Sequence, residues 1–291
     1  MPGSTVRTRA SSSGRAIFGA LSPDGRWVAY NRCLASQERC QTGNAPFALF
    51  LIATSGGKPR LLARSTPYPS WSPRSDRIVA LRKNTLVSLD LAGNLRVLEH
   101  NPATAGWSFS PDGNWLVYAK ARQHTKCGSD LFIVRARGGD ERRLTRGRDI
   151  FPVWGRRWIA FSRYPKNCAY ARRIWRIHPK GSRVQRVTGP LPPGYSQGGY
   201  YGFDPIEWTP DERALLAGLA SEWGAEAIRV DVATGAFRRL SGYALDLSRD
   251  GRYALDSGGS EGPQTIASVA LADGRRHVLA HGDVAFPSWN R

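Results

Sequence analysis

Residues 106–119 read GWSFSPDGNWLVYA, and residues 130–145 read DLFIVRARGGDERRLT. An aromatic-rich run ends in Ser110-Pro111-Asp112-Gly113. Proline presets φ at the second turn position and glycine suits the exit, the signature of a type I turn. A second apolar run, LVYA, follows at once. Beyond a hairpin loop come a third run, DLFIV, the Gly138-Gly139 turn and a short fourth run ending at Leu144-Thr145. Four strands joined by turns and a hairpin make one antiparallel sheet, with no segment long enough for a helical crossover.

The same unit recurs along the chain. Ser22-Pro23-Asp24-Gly25 precedes RWVAY, Ser72-Pro73-Arg74-Ser75 precedes DRIVAL, and Thr209-Pro210-Asp211-Glu212 precedes RALLAG. Ser248-Arg249-Asp250-Gly251 precedes RYAL, and Trp154-Gly155 runs almost directly into RRWIAF. Measured between serine-equivalent positions, the spacings are 50, 38, 45, 54 and 39 residues. They match the period of about 40–45 residues of a four-stranded propeller blade. The second and third strands are nearly continuous apolar runs, as expected of sheets covered on both faces. No segment of ten or more residues carries helical periodicity. The expected fold is all-β, a six-bladed β-propeller of four-stranded antiparallel blades. Its parts are a polar N-terminal tail (1–15) and a single propeller domain (16–291). The repeats run 16–66, 67–103, 104–147, 148–202, 203–241 and 242–282, with an extra strand at 283–291.

The unit P-x-W-S-P-D-G, a short apolar strand, then I-x-x-x-x-x-G-G-x-x-x-x-L-T resembles the WD40-like repeat of TolB-type six-bladed propellers. The resemblance extends over residues 16–290 and is fullest in the third copy. It thins in the last two, where the glycine (WTPDE) or the first-strand tryptophan (YALDLSRDG) is missing. It implies protein–protein interaction in the cell envelope. TolB-type proteins also carry a separate N-terminal domain, for which these residues offer no counterpart.

Composition narrows the class. Hydrophobic residues make up 41% of the 291 and aromatics 10%, which excludes a disordered polyelectrolyte. No apolar run reaches the ~18 residues of a membrane helix. The opening MPGSTVRTRASSSGRA lacks the apolar middle of a signal peptide. Against this stand four cysteines. Cys33 and Cys40 share the long hairpin loop of the first repeat, and Cys127 and Cys168 occupy corresponding loops of the third and fourth. The economical pairing among three connectivities is Cys33–Cys40 and Cys127–Cys168. Disulfides place the chain in an extracytoplasmic compartment, envelope or secreted. Reduced thiols in the cytoplasm are the competing reading. Zinc is disfavoured, because no C-x-x-C occurs and His100, His124, His178, His277 and His281 are scattered.

The formal charge is +19, carried unevenly: +8 over residues 1–119, +15 over 120–186 and −4 over 187–291. The candidate anion-binding cluster is Arg156, Arg157, Arg163, Lys166, Arg172, Arg173 and Arg176. Trp158, Tyr164, Tyr170 and Trp175 are interleaved with it. Such a mixture suits an acidic protein, an anionic polymer or, with lower expectation, nucleic acid. Plain composition competes with that reading, since 36 of the 42 basic residues are arginine.

Gly194-Tyr195-Ser196-Gln197-Gly198 matches the nucleophile-elbow pattern, but no helix follows it, so the match is read as coincidence. Its loop, with Tyr195, Tyr200 and Tyr201, is instead a candidate partner contact. Asp204, Glu207 and Asp246 lie on expected inner strands and are weak candidates for a cation at the central channel. Pairing with arginines is the favoured alternative for them. No catalytic constellation and no cofactor motif are present in the sequence. The leading expectation is a monomeric, non-catalytic binding scaffold for a protein partner or an anionic envelope ligand. The alternative is a propeller-fold lyase or hydrolase acting on a sugar or lactone at the central channel.

Overall fold

The computed structural model describes residues 16–34, 47–66, 69–100, 102–122, 127, 129–168, 171–191, 200–221, 224–240, 244–248, 250–256 and 265–281. The first blade is β1 (Ala16–Leu21), β2 (Trp27–Cys33), β3 (Phe47–Ala53) and β4 (Arg60–Arg64). The second is β5 (Ser70–Trp71), β6 (Arg77–Arg82), β7 (Thr85–Asp90) and β8 (Leu95–His100). The third is β9 (Pro102–Phe109), β10 (Trp115–Ala121), β11 (Ser129–Arg135) and β12 (Arg142–Arg143). The fourth is β13 (Asp149–Trp154), β14 (Ile159–Arg163), β15 (Arg173–Ile177) and β16 (Gln185–Arg186). The fifth is β17 (Tyr200–Trp208), β18 (Ala214–Ser221), β19 (Gly224–Asp231) and β20 (Phe237–Arg239). The sixth is β21 (Ala244–Leu247), β22 (Tyr253–Asp256), β23 (Thr265–Ala270) and β24 (Arg276–His281). Within every sheet, neighbours in space are neighbours in sequence, and no helix occurs among the described residues. The fold is an all-β six-bladed propeller. Its chain packs as two compact units, one ending at Val97 and the other beginning at Leu98.

The turn that reveals the repeat is also what shapes it. In the third blade, Ser110 Oγ donates to Asp112 Oδ1 at 2.6 Å, which in turn accepts the Asn114 N–H at 3.0 Å. The Trp115 N–H returns to Ser110 Oγ at 2.9 Å, and Gly113 adopts φ 68°. Ser22–Asp24, Thr209–Asp211 and Ser248–Asp250 repeat the arrangement at 2.6, 2.7 and 2.6 Å. Where glycine is lost the turn survives with strain: Ser75 and Glu212 hold φ 58° and 55°. Such a conformation costs a non-glycine residue about 1–2 kcal/mol. Glu212 recovers part of this by accepting the Arg157 N–H at 2.9 Å.

These turn carboxylates are expected to make the blades acid-sensitive. The Thr209 hydroxyl and the Arg213 N–H hold Asp211 below the usual carboxylate range, and Ser248 with the Arg252 N–H does the same to Asp250. A depressed folded-state pKa gives stability that is present above the unfolded value of about 3.9 and is lost as pH falls below it. Urea midpoints are therefore expected to drop between pH 5 and pH 3, and to drop less in the Asp211→Asn/Asp250→Asn variant. An equal drop in the variant would mean that other carboxylates carry the acid response.

Between the sheets lie apolar clusters. In the first unit, Ala29, Leu49 and Leu51 pack with Trp71, Ile78 and Leu89. In the second unit, Val117 and Leu131 meet Phe161 and Ile177, Ile174 meets Trp208 and Leu219, and Leu216 meets Leu247 and Val269. Tryptophans at the ends of inner strands add a directional link to this packing. Trp71 Nε1 donates to Ala20 O at 2.9 Å and Trp208 Nε1 to Val153 O at 3.1 Å, each reaching the preceding blade. A buried indole N–H needs such a partner, so these tryptophans are structural.

Candidate functional site

The hairpins joining second to third strands emerge at the blade end opposite the Ser-Pro-Asp-Gly turns. At that end, in blades three and four, Cys127 and Cys168 form a disulfide with Cα atoms 5.7 Å apart. Cys33 is also disulfide-bonded, and Cys40 lies outside the described residues. The expected pairing between neighbouring repeats is thus present for Cys127–Cys168.

The sheets of these blades also carry buried charges. Asp149, at the start of β13, is fully buried and receives Arg163 Nε at 2.6 Å and Nη2 at 2.8 Å. The Arg163 guanidinium lies over the rings of Phe161 and Trp175, at 5.2 and 4.9 Å. Asp130, at the start of β11, lies 3.3 Å from Arg122 Nε and 3.7 Å from Arg143 Nη1. Burial pushes its pKa up, opposed by those two arginines and reinforced by nearby Asp149. Arg172 is 7% exposed and grips Asp204 with two parallel hydrogen bonds, Nε–Oδ1 at 2.9 Å and Nη2–Oδ2 at 2.7 Å. Burial alone would lower the pKa of Arg172; the Asp204 carboxylate outweighs it and the net shift is upward. Ser162 Oγ completes the set by donating to Asp204 Oδ1 at 2.7 Å.

Glycine is required beside this pair. Gly202, at φ 125°, forms a parallel bridge with Arg172, and a Cβ on it would sit 2.3 Å from Arg172 O. The close approach lets Phe203 N–H donate to Arg172 O at 3.1 Å, joining the fourth-blade hairpin to the fifth blade.

The structure divides the seven basic candidates. Arg156 and Arg157 occupy the β13–β14 turn, at the far end of the blade from the hairpin that carries Lys166 and Arg172 and leads into Arg173 at the start of β15. Arg163 and Arg172 are committed to carboxylates. Arg176 lies 4.4 Å from the Trp158 ring and donates to Gln185 Oε1 at 2.9 and 2.7 Å. Burial lowers its pKa against the opposing pull of Glu212. Arg156, Arg157 and Lys166 are exposed. Of the carboxylate candidates, Asp204 goes to Arg172, while Asp246 is buried and its Oδ1 accepts the Leu247 N–H at 2.9 Å. Glu207 is partly buried on β17. Among the described residues, no group of three or more histidine, cysteine or carboxylate side chains is placed to hold a metal. Tyr195 lies outside the described residues, as does the 194–198 motif; Tyr200 and Tyr201 belong to β17, with side chains outside the description. Sequence reading missed the buried partners Asp130 and Asp149. The available signal was an aspartate opening an apolar strand, as in SDLFIV and RDIFPVW, since a buried charge there demands an arginine.

The fold is that of a TolB-like β-propeller. TolB from Acinetobacter baumannii superposes with a TM-score of 0.61 at 16% identity, covering 94% of this chain and 66% of that one. Oligogalacturonate lyase in complex with manganese gives 0.67 at 17% identity, covering 94% and 79%. No family model matches the chain. An uncharacterized protein of Agrobacterium fabrum is 26% identical over 133 residues, 43% of this chain, which spans 42% of that relative's length. The fold is therefore shared by TolB and by an enzyme. No helix among the described residues is long and apolar enough to cross a membrane.

Proposed function

We propose that this chain is a non-catalytic, extracytoplasmic binding scaffold that presents the hairpin face of its third and fourth blades to a protein partner. The observation that carries the reading is the cross-blade Cys127–Cys168 disulfide, in the same two blades as the Asp149–Arg163 and Asp130–Arg122 pairs. A covalent tie between loops of adjacent blades spends no fold stability on motion, and preorganised loops bind with less entropic loss. Disulfides of this kind persist in oxidising compartments. The alternative, a sugar lyase at the channel, needs a carboxylate free to act, and Asp204 is held by both Arg172 and Ser162.

A photo-crosslinking residue at position 166, expressed in the native host, tests the proposal. A single defined protein adduct is expected there, absent from a control at position 58, and weakened when Cys127→Ser/Cys168→Ser unties the hairpins. Manganese-dependent release of unsaturated products from oligogalacturonate by the purified chain would instead favour the enzyme reading.

A further inference from the structure

A second candidate site lies away from the hairpin face. It is a groove of about 1010 Å³ between blades five and six, at the end of the blades that carries the Ser-Pro-Asp-Gly turns. Five arginines line it: Arg229 and Arg238 from blade five, and Arg252, Arg275 and Arg276 from blade six. Residues 187–291 hold only nine basic residues in all, so more than half of them converge here.

The arginines have different duties. Arg238 crosses the groove and donates to the carbonyl oxygens of Leu271 and Ala272, the latter at 2.8 Å, clamping the β23–β24 turn to blade five. Arg276 is tied to Asp256 at 2.8 Å and to Thr265 at 2.6 Å. Arg275 pairs with Asp273 at 2.6 Å while its side chain is 88% exposed, a bond solvent leaves weak. Neither the Arg229 nor the Arg252 guanidinium makes a hydrogen bond to any other described residue. Asp231 and Asp250 interact with them electrostatically without a guanidinium hydrogen bond, so the two can offer their forks from opposite walls.

We propose that this groove binds an extended acidic peptide segment of a partner protein. The inference rests on the scaffold reading and gives it a second contact with a defined chemistry. Arginine forks recognise carboxylates by paired hydrogen bonds. In an extended peptide successive side chains point to opposite sides, so acidic residues reach Arg229 on one wall and Arg252 on the other. Asp211, Asp250 and Asp273 stand among the arginines. They repel a densely charged ligand such as pyrophosphate, and Asp273 and Asp250 can accept hydrogen bonds from peptide N–H groups between the acidic side chains. Tyr253, 39% exposed on the same wall, supplies an aromatic surface for the peptide's stem.

The test is fluorescence anisotropy of a labelled ten-residue peptide of Glu-Glu-Thr-Thr repeats, whose adjacent glutamates point to opposite sides, with pyrophosphate and an oligogalacturonate of equal charge as competitors. The Arg229→Gln/Arg252→Gln variant is expected to bind the peptide at least about tenfold more weakly. The Arg156→Gln/Arg157→Gln variant, with the same loss of charge on blade four, is expected to change it less than about twofold. Arg229→Lys/Arg252→Lys, which keeps the charge and loses the fork, should fall between them and guards against a folding artefact. Equal losses in the two glutamine variants, absence of peptide binding, or tighter binding of pyrophosphate or the oligogalacturonate would overturn the proposal. Persistence of the position-166 adduct alongside any of these results would leave the hairpin-face reading standing, whereas loss of that adduct alone would sink the hairpin-face reading and not the groove.

Discussion

Replacing Asp204 with asparagine is expected to lower the unfolding free energy by about 3–5 kcal/mol, the usual cost of leaving a buried charge without its partner. Arg172 is the charge stranded: its side chain is 8% exposed, and its remaining contacts are the Tyr164 hydroxyl at 3.4 Å and the face of that ring at 5.3 Å. The asparagine amide retains one acceptor and loses the second of two parallel bonds. Because Arg172 also holds Gly202 through the backbone, the damage should spread to the joint between blades four and five. The double variant Arg172→Leu/Asp204→Leu should recover most of the loss, since an apolar pair of similar volume avoids desolvation altogether. Urea denaturation of the three proteins decides the matter. A cost under about 1 kcal/mol for Asp204→Asn would place the pair in the class of solvent-screened surface bridges.

The second large effect concerns the hairpin staple. Cys127 and Cys168 are 41 residues apart. Closing a loop of that length stabilises the folded chain by about 4 kcal/mol in the chain-entropy model. Cys127→Ser/Cys168→Ser is expected to lose an amount of this order, measured as a fall in the denaturation midpoint without a change in far-ultraviolet spectrum at low denaturant. The same chemistry gives a compartment readout. Protein isolated from its native host and alkylated under denaturing, non-reducing conditions should gain no label by intact mass. Full labelling would mean reduced thiols and would withdraw the oxidising compartment on which the scaffold proposal draws.

The blade plan was legible because its signal is local. Ser-Pro-Asp-Gly and its variants fix a turn through contacts within five residues, so each copy announces itself without knowledge of the rest. The Cys127–Cys168 disulfide was legible for a related reason: once the repeats are in phase, both cysteines fall in the same hairpin of adjacent blades. The fate of the arginines was not. Whether Arg163 or Arg172 faces solvent depends on an aspartate elsewhere in the blade or from the next one, and in the chain that partner stands 14 residues back or 32 ahead. Counting charge along the chain also hid the groove. A segment that sums to −4 directs five arginines into one cleft, because Arg229, Arg238 and Arg276 face it from β19, β20 and β24 while Arg252 and Arg275 reach it from the turns beside β22 and β24.

Every sheet among the described residues consists of strands taken in unbroken order, and Trp71 and Trp208 each bond to the blade before. A whole blade can therefore be copied, lost or exchanged as one stretch of gene without rethreading any other part of the chain. On that footing the groove-bearing fifth and sixth blades and the stapled third and fourth are heritable modules, free to acquire partners independently and on separate evolutionary schedules.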